Sequence, residues 1–387
     1  MVVSSRRRTR IRVPTIRWRP RIPHARGSTP QEISVPLPLS STPVLGRRAF
    51  LGALSGAAVA AGLAACARDE PSTHLAAAAP LPTSVDPQTA LSISIHTSQK
   101  QFEGAGLLDK LPFRVKDWPN LSAGPDIIQG FRARSIDLAS NAGVPPIQAR
   151  AIQYDAKIVA VQTVPVPIYR FATAPGSSIS SRPDLKGKKI AFSQGQAQGV
   201  VVLRTLKELG LDKRDVTLVA LTSNQFYTAL QSRQVDVAPL AEPSLTKYLN
   251  QFSGDGAKAI DMHAVDYLTV LWSPAEVLHD PAKAAAVRAF IPYWVRGTVW
   301  AWENREAWAD LYYVKDQQLS PADAQRAAAS TPRPTYPRRW DRAIAWEQET
   351  ADLLTAGGFI PKVKAADLFD RRFETVAADA APASYQE

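Results

Sequence analysis

Twice along this chain, strand-like runs alternate with helix-like ones, and no other feature narrows the fold as far. In the first set, "LSISIH" (91–96) and "FRVKDW" (113–118) alternate in strand fashion. "PDIIQGFRARS" (125–135) then puts Ile127, Ile128 and Phe131 on one helical face. "IDLASN" (136–141), a helical "IQARAIQY" (147–154) and "KIVAVQT" (157–163) complete that set. The pattern restarts at "KKIAFS" (188–193), followed by the helix "VVVLRTLKELG", in which Val202, Leu206 and Leu209 share a face and Gly210 is the stop. "VTLVAL" (216–221), "FYTALQSRQ" (226–234) and "VDVAPLA" (235–241) follow. Two short series of strand–helix–strand units predict an α/β protein with two mostly parallel sheets and helices on both faces of each. The roughly 300 residues from position 90 onward are enough for two lobes with separate cores. The last third, from about residue 281, reads as helical and holds six of the nine Trp. In sheets of this kind a ligand sits in the crevice beyond the carboxyl ends of the strands.

The first ninety residues follow other rules. An uncharged run of small and apolar residues, Ala49 to Ala65, is too short and too rich in Ala and Gly to span a membrane, which takes ~20 strongly apolar residues. A basic segment, a mildly apolar core and small residues before a cleavage point make an export signal. Arg47 and Arg48, followed by "AFL", resemble a twin-arginine signal. "LAAC" (63–66) resembles a bacterial lipobox, which implies cleavage before Cys66 and a diacylglycerol on its sulfur. Cys66 is the one cysteine of the chain, so its thiol is expected to carry lipid rather than do catalysis or bind metal. Upstream, "SSRRRTRIRVPTIRWRPRIP" is basic and Pro-broken: either an extended leader, or residues ahead of a true start at Val44. From Cys66 to about residue 89, Pro, Ala, Ser and Thr predict a flexible tether.

This division changes the meaning of the charge. The whole chain carries +11, a value that points to nucleic acid or an anionic membrane. Eleven of its 46 Lys and Arg, but one of its 35 acids (Glu32), precede residue 67, leaving 35 basic and 34 acidic residues, net +1, in the rest. The mature part is therefore expected to bind no nucleic acid.

Four segments, in order, resemble landmarks of the solute-binding proteins of ABC importers: "ARSIDLASNAGVPPIQA", "SRPDLKGKKIAFSQGQAQGVVVLRTLKELGL", "LQSRQVDVAPLAEPSL" and "ADLLTAGGFIPK". The subgroup is the one handling aliphatic sulfonates, taurine and nitrate. The resemblance spans about residues 90–365. It implies a type II periplasmic-binding-protein fold, two Rossmann-like lobes joined by two hinge crossings, with a helical C-terminal part. Lobe one would be 90–170 plus 272–387 and lobe two 171–271, with crossings at "IYRFATAP" (168–175) and "YLTVLWSP" (267–274). It implies a monomer that captures a small, anionic solute and hands it to a permease and ATPase, held at the outer face of the cytoplasmic membrane by the lipid on Cys66.

The cleft residues that the resemblance implies are His96, Thr97, Ser98 and Gln99 after the first strand, then Ser140, Asn141 and Ala142. The second lobe would add Gln194, Gly195, Gln196, Ala197, Gln198 and Glu242. Several of these open helices, whose free N–H groups and positive dipole end suit an anion. The family's hydroxyl-rich loop reads Gln196, Ala197, Gln198, Gly199 here, and amides both donate and accept. That substitution points to a bulkier or heterocyclic solute. His96 either donates to an acidic ligand group or is a strand-end histidine satisfied by neighbouring backbone. Arg170 is expected to pair with a structural acid, and Val287, Phe290, Trp294 and Thr298 to form a core helix face.

Two other readings share the fold. A desulfinase-like or pyrimidine-synthesising enzyme would need a nucleophile, and the single thiol is assigned to lipid. Neither a P-loop nor a G-x-G-x-x-G occurs, and His96, His263 and His279 lack metal-ligand spacing, so no cofactor is expected. A lipid-anchored sensor is the remaining alternative.

Overall fold

The computed structural model describes residues 74–387. Cys66, Arg47 and Arg48 lie outside the described residues, as does the leader. Each predicted strand run forms a strand. In the first set these are β1 (Ala90–Ser94), β2 (Arg114–Asp117), β3 (Leu138–Ala142) and β4 (Ala156–Val164). Then come β5 (Arg170–Thr173), β6 (Lys189–Phe192), β7 (Thr217–Ala220), β8 (Val237–Leu240), β9 (Ala259–Asp261) and β10 (Tyr267–Pro274). They build two five-stranded sheets, ordered β2-β1-β3-β10-β4 and β7-β6-β8-β5-β9.

Each sheet is parallel except for one strand. In the first, β10 runs antiparallel to both β3 and β4, with Trp272 opposite Ala139 and Val270 opposite Val161. In the second, β5 runs antiparallel to both β8 and β9. The two segments expected as crossings are thus themselves sheet strands, and the chain passes between sheets at 165–169 and 262–266. The reason is burial: "YLTVLWSP" is apolar enough to occupy an inner position, and seven of its residues are buried, Thr269 being the exception. Trp272 is fully buried and meets Phe131 edge-on at 4.7 Å.

Helices cover the sheets as the periodicity requires. Ala197–Glu208 buries Val202 and Leu206, and Gly210 just past its end takes φ +67°, the left-handed value that ends helices and that glycine tolerates. The long helix Pro281–Glu303 begins with Pro281 in its first turn and Asp280 as its cap, the carboxylate accepting from the N–H of Ala282 (2.9 Å) and of Lys283 (3.0 Å). Its Val287 and Phe290 are fully buried, Phe290 lying 5.5 Å from Phe102 on the helix His96–Ala105. Asp341–Ala356 packs on the helix Val144–Ala151 and reaches across to Ala197–Glu208.

The tether expectation needs correcting for residues 74–89. Leu75 N–H donates to the His279 carbonyl at 2.6 Å, Arg372 Nη1 reaches the carbonyls of Ala76 and Ala79 at 3.3 Å, and Leu81 and Val85 pack on the core. Pro and Ala raised the expectation of a tether, but the apolar side chains spaced among them dock the segment.

Candidate functional site

Beyond the carboxyl ends of β1 and β3 lies a cavity of about 300 Å3. Ile95, Thr97 and Ser98 enter it from the end of β1 and the first turn of His96–Ala105, Ser140 from β3, Gln162 and Val164 from β4, and Thr269 from β10. Trp294, Thr298, Ala301 and Trp302 close it from the helix Pro281–Glu303, and Arg305 and Trp308 from the short helix that follows. Tyr312 and Tyr313 come from a π-helical stretch, Ala309–Asp316, a rare conformation that favours functional sites. Glu242, past the end of β8, is the residue contributed from the second-sheet side, and Ile168 belongs to the crossing. A second cavity of about 360 Å3 shares Ile168, Glu242, Tyr313 and Thr331 with the first and extends to Arg170 and Arg326.

Of the residues expected at a cleft, Thr97, Ser98, Ser140 and Glu242 come together in this cavity. Ser98 is 1 % exposed. His96 stands beside the cavity wall with Nε2 3.0 Å from both carboxylate oxygens of Asp316. Burial pushes the Asp316 carboxyl up, but the bonds from His96 and from Gln317 Nε2 (2.7 Å) outweigh it and hold the group below its ordinary range. A carboxylate, rather than backbone, satisfies this histidine. Gln99 is partly buried and lies away from the cavity lining.

Asn141, Ala142 and residues 194–198 are not part of that lining. Asn141 Oδ1 accepts from Trp272 Nε1 (2.9 Å), its Nδ2 donates to the Ser122 carbonyl (3.2 Å), and Ala142 packs against the core. Gln194 donates to the Phe359 carbonyl, while its own carbonyl accepts from Gln148 Nε2 at 2.9 Å. Gly195 sits so close to the first-sheet side that a Cβ on Gly124 would lie 3.0 Å from its carbonyl oxygen. Gln196 is 5 % exposed, its Oε1 accepting from Ser193 Oγ (2.6 Å) and the Ser223 N–H (2.8 Å), its Nε2 donating to Ser223 Oγ (2.8 Å). Ala197 is buried, and Gln198 is partly buried in the opening turn of Ala197–Glu208. The loop expected as a ligand wall therefore makes direct contact with the opposite side. Arg170 Nε pairs with Asp261 at 2.8 Å, as expected of an arginine with a structural acid.

The aromatic residues are where sequence reasoning fell short. The core face holds for Val287 and Phe290, yet Trp294 (3 % exposed) and Thr298 both reach the cavity as well. Trp308 and Tyr312 stack at 4.6 Å and 3° next to it. Burial raises the Tyr312 and Tyr313 hydroxyls, so both stay protonated donors. The crowding of Trp between 294 and 308 was the signal.

A buried charged cluster, absent from the cavity lining, bridges the two sides. Glu347, 1 % exposed, sits with Oε1 where a Cβ on Gly143 would fall, 1.4 Å away. Arg204 lies 4.1 Å over the Trp346 ring and donates Nη2 to Thr350 Oγ1 at 2.8 Å. Its Nε and the Oε2 of Glu347 have no hydrogen-bond partner among the described residues. Burial, then the Asp266 charge, pushes Glu347 up to about 8 against the pull of Arg204, and burial pushes Asp266 up to about 7. Among the described residues no group of three or more His, Cys, Asp or Glu is placed to hold a metal ion.

Residues 128–306 match the NMT1/THI5-like family. A protein of Escherichia coli K12 named for binding aliphatic sulfonates is 32 % identical over 146 residues, 38 % of this chain and 46 % of its own length, so the chain spans less than half of that relative. One of Bacillus subtilis 168, named likewise, is 25 % identical over 275 residues, covering 70 % of this chain and 80 % of the relative. Among solved structures, the alkanesulfonate-binding protein SsuA of Xanthomonas axonopodis pv. citri, bound to MOPS, superposes with a TM-score of 0.64 at 22 % identity, covering 79 % of this chain and all of that one. The periplasmic aliphatic sulphonate binding protein SsuA of Escherichia coli gives 0.60 at 22 % identity, covering 75 % and 99 %. The resemblance drawn from the four landmark segments holds, and the fold is that of a type II periplasmic binding protein with a helical C-terminal part.

Proposed function

We propose that this protein is the extracytoplasmic solute-binding component of an ABC importer. It captures a small solute bearing a sulfonate-like anionic group and delivers it to a permease and ATPase in the membrane. The observation carrying this reading is the cavity at the carboxyl ends of β1 and β3, which takes Glu242 from the second-sheet side and its other walls from the first-sheet side and the crossing. A solute touching both sides favours their approach over their separation, and this is the differential affinity that capture requires. In this reading the first lobe is the part built on the sheet of β1–β4 and β10 and the second the part built on the sheet of β5–β9, with hinges at 165–169 and 262–266 in place of the expected boundaries at 170/171 and 271/272. Ser98, in the first turn of a ten-residue helix, and Thr97 beside it are the anion's partners in this reading, with free first-turn N–H groups adding to them. Cys66 carries the lipid, Arg47 and Arg48 direct export, and the protein works as a monomer at the outer face of the membrane.

Calorimetric titration of the purified protein with alkanesulfonates, taurine and nitrate tests the reading, with the bound solute recovered and analysed. Saturable binding with unchanged solute is expected. Steady conversion of the solute, or no binding of any organic anion, overturns it.

A further inference from the structure

Two charged side chains line the cavity, and they have opposite signs. Glu242 makes one hydrogen bond, accepting from the Thr246 N–H at 3.3 Å, and takes part in no ion pair among the described residues. Arg305 likewise has no ion pair: it donates to the carbonyls of Ala328 (3.5 Å), Ala329 (3.0 Å) and Thr331 (3.4 Å) and stacks 3.7 Å over the Trp302 ring. Other cations near Glu242 are neutralised, Arg170 by Asp261 and Arg326 by Asp323 (2.5 Å). An electrically unmatched carboxylate and an unmatched guanidinium on one small cavity are complementary to a ligand carrying both charges. Between them the walls are aromatic: Trp294, Trp302, Trp308, Tyr312 and Tyr313. Such walls hold a flat apolar body by area and attract a cationic nitrogen through the ring quadrupoles.

We infer that the solute is a zwitterion with a ring-sized apolar body, its cationic nitrogen held by Glu242 and the aromatic walls, its anionic group by Arg305, Thr97 and Ser98. This rests on the solute-capture reading above and narrows its ligand class from small aliphatic anions to bipolar ring compounds. Glu242 is the specificity-determining residue, because a simple anion gains nothing from it and is repelled by it.

Isothermal titration of the purified full chain with three matched probes near pH 7 tests this: para-(aminomethyl)benzenesulfonate, para-toluenesulfonate and benzylammonium. The zwitterion should bind at least tenfold tighter than either single-charge probe. Glu242→Gln should lower zwitterion affinity tenfold or more while leaving para-toluenesulfonate unchanged or tighter. The comparison among probes on the unaltered chain holds even if the variant folds poorly. Equal or tighter binding of para-toluenesulfonate overturns the inference and leaves anion capture standing. Binding of benzylammonium as tight as that of the zwitterion removes the anionic pole and with it the sulfonate-like class proposed above. No binding of the zwitterion at millimolar concentration, or an unchanged probe ratio in Glu242→Gln, overturns the inference outright.

Discussion

Replacing Glu347 by Gln should make the protein more resistant to urea at about pH 8.5 and leave it unchanged at about pH 5. One guanidinium, that of Arg204, faces two carboxyls, and Glu347 has an oxygen without a hydrogen-bond partner. The protein therefore holds a proton there that the unfolded chain gives up. Glu347 titrates at about 8 in the folded chain against 4.5 in the ordinary group, and Asp266 at about 7 against 3.8. For an acid whose pKa is raised by folding, the native state binds more protons between those two values, so stability falls with rising pH across that window. It is whole below about 4.5 and has been lost by about 8. Asp266 keeps part of its surface exposed, so the main share falls on Glu347.

A shift of this size in a group with 1 % exposure corresponds to a loss on the order of 4 kcal/mol in the parent between those limits. Gln preserves shape and polarity and has nothing to titrate, so most of the pH slope should vanish in the variant. Urea midpoints at fixed temperature, measured from about pH 5 to 8.5 for both proteins, read this out directly. The lower limit keeps clear of the surface acids with lowered pKa, such as Asp212 at about 2, whose stabilisation is lost as pH falls below that range. A parent whose stability holds level or rises across the window, or a variant with the parent's slope, would refute the reasoning.

Gly143→Ala should lower stability by about 1–3 kcal/mol, since its Cβ meets Glu347 Oε1 at 1.4 Å, and pairing it with Glu347→Ala should recover much of the loss in the same urea assay. Gln196→Ala breaks three hydrogen bonds to Ser193 and Ser223 and should cost about 1–3 kcal/mol in thermal or urea unfolding, with little change in solute affinity. Cys66→Ala should yield an unlipidated protein that leaves the membrane fraction, and Arg47→Lys with Arg48→Lys should block export; palmitate labelling of the Cys66→Ala chain would defeat the lipid assignment.

Strand and helix positions were legible because each is set by a local period of apolar residues: "KIVAVQT" lies within β4, and "VVVLRTLKELG" spans most of Ala197–Glu208 with the glycine stop in place. Sheet membership of β5 and β10 was not, because a fully apolar run reports burial without naming its neighbours. Val270 pairs with Val161, over a hundred residues earlier in the chain, and no local pattern encodes that pairing. The site divides in the same way. Residues just past strand ends could be located, and Thr97, Ser98, Ser140 and Glu242 do share a cavity. Whether such a loop meets ligand or protein depends on how the two sides approach. Gln194 and Gly195 meet Gln148, Phe359 and Gly124 instead. Helical period placed Trp294 and Thr298 on one face with Phe290, but period cannot tell where along a helix that face runs off the core onto a cavity.

The way the two sides touch bears on capture. Their contacts include polar ones, Gln148 to the Gln194 carbonyl (2.9 Å), Lys213 to the Gly357 carbonyl (2.8 Å), Lys247 to Gln317 (3.1 Å) and Asn250 to Asp323 (2.6 Å), beside an apolar cluster that runs through both sides and brings Phe192 within 4.8 Å of Phe359. Each such bond contributes about 1 kcal/mol net, because water replaces it when the sides part. Against them stand the unpartnered Nε of Arg204 and Oε2 of Glu347, which regain water on opening. Polar contacts that water can replace and buried groups that water would relieve lower the cost of parting the two sides, while the apolar cluster they share opposes it. In the capture reading proposed above, a solute touching Ser98 on one side and Glu242 on the other shifts the two sides toward approach by its differential affinity. In the same reading, ionising Glu347 beside Asp266 should favour parting of the two sides, so solute affinity should weaken from about pH 5 to 8.5 in the parent and hold level in Glu347→Gln; equal pH dependence in both would remove the cluster from capture.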